Sequence, residues 1–278
     1  MAFNLRSNLI KPIFKTMLWI FAVIAVIYSL ILFLLFRYQE KFIFLPDKLE
    51  QNFVFKFDNQ FEEKFIETSD NKNLHGLLFK AKESKGLVFY LHGNEGAVNS
   101  WDFLNDIYTN RGYDLFLLDY RGYGKSSGTI SGEKQFLDDI EQAYSAISKT
   151  YADSQIVIIG HSLGTYPAAV LAAKHSPGLL MLLSPYYSLQ DIVSSKYPVI
   201  PNFILKYKFP TFEFIPKISC PIVIFHGQND KLIKPESAIR LKKLAKTGDE
   251  LYIIQNLGHN GINQNLEYQD KLKELLGR

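Results

Sequence analysis

"IVIIGHSLGTYPAAV", residues 156–170, places one serine between two glycines, directly after a run of apolar residues. Four consecutive β-branched side chains, Ile156–Ile159, read as a buried strand. The segment from Gly164 to His175 reads as a helix. Ser162 therefore stands in a sharp strand-to-helix turn, the setting of a nucleophile elbow. Such a turn needs neighbours without a Cβ, and Gly160 and Gly164 supply them. The following helix aims its first N–H groups at the same spot and favours developing negative charge there. An ordinary turn serine fits the pentapeptide equally well, so the reading depends on partners elsewhere in the chain.

A serine hydroxyl is a weak nucleophile near neutral pH and needs a base. In this kind of fold the order along the chain is nucleophile, acid, base. Three histidines follow Ser162: His175, His226 and His259. His175 closes a helix, and His226 precedes Gly227 at a strand end. Only His259, in "IIQNLGHNG" beyond the last apolar run, follows a well-placed acid. That acid is Asp230 in "IVIFHGQND", a short turn past its own strand; Asp191 is the runner-up but lies well beyond its strand, and Glu236 is explained as a helix-start residue. Asp230 would fix the tautomer and orientation of His259. "LVFYLHGNEG" ends an earlier strand, so the backbone N–H of Asn94 could pair with that of Leu163 to hold an oxyanion. His92 in the same stretch reads as structural.

The order of elements agrees. Candidate strands are Lys64–Thr68, Leu74–Lys80, Leu87–Leu91, Leu115–Asp119, Ile156–Gly160, Leu179–Leu183, Ile222–Phe225 and Leu251–Ile254. Candidate helices are Asn99–Asn110, Gly132–Thr150, Gly164–His175, Pro235–Lys246 and Leu266–Leu276. Apolar strands alternating with helices predict an α/β fold with a mostly parallel sheet of about eight strands, covered on both faces. Ligands of such sheets bind beyond the carboxyl ends of the strands. "DYRGYGKSSG" (119–128) imitates a phosphate loop, but position 119 is Asp where a P-loop needs glycine, and position 127 is Ser where a dinucleotide fingerprint needs glycine. A metal held by His226, Asp230 and His259 is conceivable, but no tight ligand spacing supports it.

Composition narrows the classes. The 278 residues are 47% apolar, enough for a substantial core, with a formal charge of only +3. No concentrated basic face points to nucleic acid. The one cysteine, Cys220, excludes an internal disulfide and argues against a cysteine metal site. From Met17 to Phe36 the chain runs twenty residues without a charge, with Trp19 and Tyr38 near the ends. At about 1.5 Å per residue this spans a hydrocarbon core of about 30 Å. A cleaved signal peptide is the competing reading, but "RYQEKFIF" offers no small-residue cleavage site. Arg6, Lys11 and Lys15 precede the span, and Arg37, Lys41 and Lys48 follow it. The short, purely basic head favours a single-pass chain with the large domain on the non-cytoplasmic side.

The organisation expected is a basic head (1–16), a transmembrane helix (17–36), a juxtamembrane connector (37–58) and a catalytic domain (59–278). The connector's aromatics either rest on the bilayer or pack onto the domain behind. Residues 186–216, rich in aromatics and proline, read as a small lid with apolar walls, or as a segment whose aromatics seal the core.

"LHGNEG", "DYRGYGKSSG", "GHSLG", "HGQND" and "GHN", in this order, resemble the α/β-hydrolase family, and in particular its membrane-anchored branch with an N-terminal span and almost no cap domain. The likeness covers residues 40–278. It implies the α/β-hydrolase fold and a serine hydrolase using Ser162, Asp230 and His259, with no cofactor. Members include carboxylesterases, lipases, acyl-protein thioesterases and peptidases, so the resemblance leaves the substrate open. Thr165-Tyr166-Pro167 departs from the small residues common after the elbow, and Pro167 is placed to bend the helix. The expected activity is cleavage of esters or thioesters of small or acylated substrates at a bilayer. The alternatives are a peptidase of the same fold and a catalytically silent interaction module.

Overall fold

Each apolar run in the middle of the chain becomes a strand buried on both faces, and the sheet follows from that. In the computed structural model, which describes residues 2–277 and the side chains of residues 14–277, the N-terminus forms α1 (Ala2–Tyr38), the single turn α2 (Glu40–Ile43) and the two-residue strand β1 (Leu45–Pro46). The hairpin β2 (Phe61–Glu67) and β3 (Asn73–Phe79) follows, then β4 (Gly86–Leu91), the short β5 (Glu95–Gly96), α3 (Leu104–Thr109) and β6 (Tyr113–Asp119). The remainder is α4 (Glu133–Ile147), β7 (Ile156–His161), α5 (Thr165–His175), β8 (Leu179–Leu183), α6 (Leu189–Lys196), β9 (Ile222–Gly227), α7 (Glu236–Lys242), β10 (Glu250–Ile254) and α8 (Leu266–Gly277).

Eight strands make one sheet in the order β10-β9-β8-β7-β4-β6-β3-β2, and only β3 runs against the others. Along β4 the residues alternate between two cores: Leu87, Phe89 and Leu91 face one, Val88 and Tyr90 the other. This is the two-sided burial that a parallel sheet requires. The chain leaves β4 for β6 on one side and leaves β7 for β8 on the other, although β4 and β7 are neighbours with Leu91 opposite Gly160. Strand order thus reverses between them, and a crevice opens beyond their carboxyl ends.

Both glycines of the elbow are required by contact. A Cβ on Gly160 would lie 2.4 Å from the Gly164 carbonyl oxygen, and one on Gly164 would lie 2.0 Å from the Leu91 carbonyl oxygen. These are backbone atoms and cannot rotate away. Gly164→Ala is expected to destabilise the protein by about 3 kcal/mol through overpacking, read from the denaturation midpoint.

Several expectations need correction. The helix expected over Asn99–Asn110 is a 3-10 turn (Val98–Ser100) followed by α3, because Asp119 Oδ1 accepts the Val98 N–H at 2.9 Å and Trp101 turns in against His92 and His161. Gly132–Thr150 ends in a 3-10 turn after Ile147, and Pro235–Lys246 shortens to Glu236–Lys242. Pro167 does not interrupt α5. It sits in the first turn, where backbone N–H groups lack helical partners in any case. The stretch read as a lid contains α6, whose N-terminus is capped by Ser188 accepting the Asp191 N–H at 2.9 Å.

One described helix is long and apolar enough to cross a bilayer: Phe14–Tyr38, 25 residues with mean hydropathy 2.9. The helix itself runs beyond the 17–36 expected, from Ala2 to Tyr38. Of the basic head, the side chains of Arg6 and Lys11 lie outside the described residues. The connector is not a free tether. Phe44 and Phe55 are buried in the domain core, whereas Phe42 is exposed. In the segment 186–216, Tyr186, Tyr207, Phe209 and Ile215 are buried in the core, so the sealing role fits these residues; Tyr197, Val199 and Phe203 are exposed.

Candidate active site

Beyond the carboxyl ends of β7, β9 and β10 three side chains converge. Ser162 has a left-handed backbone, φ 49°, which a side-chain-bearing residue adopts only under tertiary constraint. The close packing at Gly160 and Gly164 supplies that constraint. His259 Nε2 lies 3.0 Å from Ser162 Oγ, and His259 Nδ1 lies 2.7 Å from Asp230 Oδ2. The Ser184 hydroxyl donates to the His259 carbonyl oxygen at 3.3 Å. Asp191, the runner-up acid, instead pairs with Arg240 at 2.8 Å on the surface.

Asp230 is held firmly. Its Oδ1 accepts the backbone N–H groups of Leu232 and Ile233, both at 2.8 Å, and the side chain is fully buried. Burial works to raise its pKa, but hydrogen bonds from His226 and His259 outweigh burial and hold the carboxyl well below the usual range. His226 is a residue that sequence reasoning set aside. Its Nε2 is 2.7 Å from the Ile233 carbonyl oxygen and 3.2 Å from Asp230 Oδ2. A carbonyl only accepts, so this nitrogen carries the proton and has no lone pair for a metal. The spacing of four between His226 and Asp230 on one strand end was the available signal.

The loop that carries Asn94 follows β4 beside the elbow. Gly164 touches the backbone at Leu91 and His92, which brings the loop after β4 against the elbow. Among the described residues, the Asn94 N–H donates to no backbone acceptor. The Asn94 loop is braced from an unexpected side. Its carbonyl oxygen accepts the Leu45 N–H at 2.8 Å and the Tyr123 hydroxyl at 2.8 Å, and its side chain donates to the Ile43 carbonyl oxygen at 3.2 Å. Leu45–Pro46 then pairs in parallel with Glu95–Gly96. The connector after α1 thus holds the loop that presents Asn94. A two-residue strand leaves no periodicity by which to find it.

His92 is fully buried, packed against Tyr120 and Trp101, with Nδ1 2.7 Å from the Gly93 carbonyl oxygen, as its structural reading requires. His161, the residue before the serine, is buried beside His259 and Trp101. Burial pushes its imidazole down to about 3, and the neighbouring His259 and His92 add to the shift. An unfolded histidine protonates near pH 6.5. Stability from keeping His161 neutral is therefore complete above that pH and is lost as pH falls from about 6.5 towards 3. The urea midpoint is expected to decline between pH 7 and pH 4, and His161→Gln should flatten that decline.

An open cleft of about 830 Å³ adjoins the elbow at His161. Its walls include Phe44, Pro46, Trp101 and Phe103, with Lys41, Asp47 and Glu95 among its polar residues. Part of the wall is therefore connector, which agrees with the reading that this stretch packs onto the domain behind.

Residues 82–216 match the family model described as serine aminopeptidase, S33. Among curated relatives, alpha/beta hydrolase domain-containing protein 17C of Xenopus tropicalis is 29% identical over 199 residues, covering 69% of this chain and 62% of that protein. The Mus musculus 17C protein is 27% identical over 222 residues, covering 77% and 67%. The matched stretch thus spans about two thirds of the length of those relatives. Of solved structures, the esterase Pf2001 of Pyrococcus furiosus superposes with a TM-score of 0.68 at 19% identity, covering 85% of this chain and 97% of that one. An alpha-beta hydrolase from Vibrio vulnificus gives 0.66 at 20% identity, covering 77% and 81%. A sheet that reverses order at the elbow strand, shared over most of both chains with an archaeal esterase, gives this chain the α/β-hydrolase fold.

Proposed function

We propose that the protein is a membrane-tethered serine hydrolase that cleaves ester or thioester bonds of acyl or lipid-like substrates through an acyl-enzyme. The observation that carries the reading is the continuous line from Asp230 Oδ2 through His259 to Ser162 Oγ, at 2.7 Å and 3.0 Å. His259 Nε2 takes the Ser162 proton as Oγ attacks the substrate carbonyl carbon. The oxygen that becomes negative is met by the N–H groups of Asn94 and Leu163. The tetrahedral species collapses, the carbonyl re-forms, and the alcohol or thiol leaves with the proton from His259. Water then adds to the acyl-enzyme by the same base, and the acid is released with Ser162 regenerated. Asp230 stays ionised throughout and keeps Nδ1 protonated.

The aromatic side chains on the cleft, Phe44, Trp101 and Phe103, and the apolar helix before it support an acyl substrate presented at a bilayer. The basic residues Arg6, Lys11 and Lys15 before the span support an N-terminus inside and the domain on the non-cytoplasmic side. Protease protection in sealed vesicles tests that orientation, since a domain shielded in cytoplasmic-side-out vesicles agrees with it and a digested one does not.

A peptidase is the second reading. It is favoured by the family description and by the carboxylates of Asp47 and Glu95 on the cleft, which suit a cationic peptide terminus. A fluorophosphonate probe is expected to label the folded protein and to leave Ser162→Ala unlabelled. No labelling of a folded sample would sink the serine mechanism. A screen over p-nitrophenyl esters, acyl thioesters and aminoacyl amides then separates the readings: preference for aminoacyl amides would favour the peptidase.

A further inference from the structure

The stretch Tyr197–Phe203 leaves the domain and lies along α1. Tyr28 is ten residues before the end of that helix, about 15 Å along its axis. Its hydroxyl donates to the Val199 carbonyl oxygen at 2.5 Å. A tyrosine hydroxyl within an apolar span needs a partner, and so does a backbone carbonyl brought to that depth; here each satisfies the other. Nearer the helix end the contact is repeated. The Gln39 side chain donates to the Ile204 carbonyl oxygen at 2.7 Å and accepts the Lys206 N–H at 2.9 Å, while Lys206 Nζ meets Glu40 at 3.1 Å. The segment is therefore fastened at two levels, to Tyr28 inside the apolar stretch of α1 and to Gln39 and Glu40 just past its end.

What the tip exposes is apolar. Tyr197, Val199 and Phe203 are 56%, 72% and 84% exposed, and Pro198 is exposed with them. No acidic residue occurs from Ile192 to Phe212, whereas Lys196 and Lys208 stand exposed on either side. Apolar side chains at a tip flanked by lysines are the arrangement of an interfacial membrane element. The base of the segment points the other way: the Tyr186 hydroxyl donates to the Leu163 carbonyl oxygen at 3.1 Å, and Phe209 stacks on Tyr166 behind the elbow.

We infer that residues 197–203 form a second membrane element, a wedge that enters the leaflet beside α1 and sets the cleft mouth at the lipid surface. The inference rests on the membrane-tethered reading above and names the partner, the acyl layer of the bilayer. The cleft is lined by Lys41 and Phe44–Asp47, the residues that immediately follow the span, so an acyl chain reaches it from the leaflet without crossing bulk water.

The test uses the full-length chain in vesicles of phosphatidylcholine and phosphatidylglycerol, with nitroxide probes at Phe203→Cys and, as control, Lys273→Cys on α8, both in a Cys220→Ser background. Flotation with the vesicles reports the tether itself. In floating protein, the probe at 203 is expected to be relaxed more by oxygen than by a water-soluble nickel chelate, and the probe at 273 the reverse. A floating chain whose 203 probe meets nickel as readily as the control would overturn the wedge while leaving the tether intact. A chain that does not float would overturn both. Functionally, Phe203→Glu is expected to slow hydrolysis of a long-chain ester embedded in vesicles at least about fivefold, with p-nitrophenyl butyrate turnover in detergent unchanged. Equal effects on the two substrates would count against the wedge.

Discussion

Ser162→Ala is expected to reduce ester turnover on the order of 10⁶-fold while the protein keeps its fold. The loss is large because the proposed mechanism makes this hydroxyl the attacking atom and the proton donor to His259. The fold survives because alanine keeps a Cβ no larger than that of serine at φ 49°, and the constraint on that backbone comes from Gly160 and Gly164. A denaturation midpoint within the ordinary range of surface variants, beside lost turnover, separates the chemical effect from unfolding. Some rate above the uncatalysed reaction should persist, since the N–H groups of Asn94 and Leu163 remain. Adding His259→Ala to Ser162→Ala should then change little, because the two act as one unit. A Ser162→Ala protein with substantial turnover would remove the serine from the chemistry.

Asp230→Asn should cost about 10⁴-fold in turnover, with substrate binding largely retained. The geometry gives the reason. Oδ1 already accepts two backbone N–H groups, so the amide oxygen of asparagine takes that position. The amide nitrogen then replaces Oδ2 and presents N–H to His259 Nδ1. Nδ1 must become the acceptor, the ring proton moves to Nε2, and Nε2–H faces Ser162 Oγ. A base that already holds its proton cannot take another. His226 loses only its weaker contact at 3.2 Å and keeps the Ile233 carbonyl oxygen at 2.7 Å. Asp191→Asn is the control: it breaks a part-exposed pair with Arg240, costs at most about 1 kcal/mol, and should leave turnover unchanged. The reverse pattern would transfer the acid's role to Asp191.

The meeting of Ser162, Asp230 and His259 was legible because a buried parallel sheet writes its strands as uninterrupted apolar runs. Residues just past those runs must gather at one end of the sheet, whatever their distance along the chain. The same logic made the eight main strands readable. It fails where structure is specified by single contacts. The broken helix near Trp101 depends on Asp119, the last residue of β6 and twenty-one residues beyond Val98, accepting the Val98 N–H. His226 looked like a strand terminus because its partner, the buried face of Asp230, exists only after the turn closes. The connector's reading stayed divided between bilayer and domain because its two-residue strand borrows a partner from β5, and no local pattern encodes a borrowed edge.

The pairing of Leu45–Pro46 with Glu95–Gly96 bears on how such a protein can be taken apart. A leash can be cut anywhere or exchanged for another, and the domain it carried will not notice. Here the apparent boundary at residue 58 is not a seam. A soluble version begun there would discard the backbone donor that steadies Asn94 and part of the cleft wall, and would be judged inactive for the wrong reason. A version that keeps the chain from Gln39 onward retains both. The apolar helix and the hydrolase are separate in composition, but the unit that can be inherited, grafted or expressed whole includes the short stretch between them.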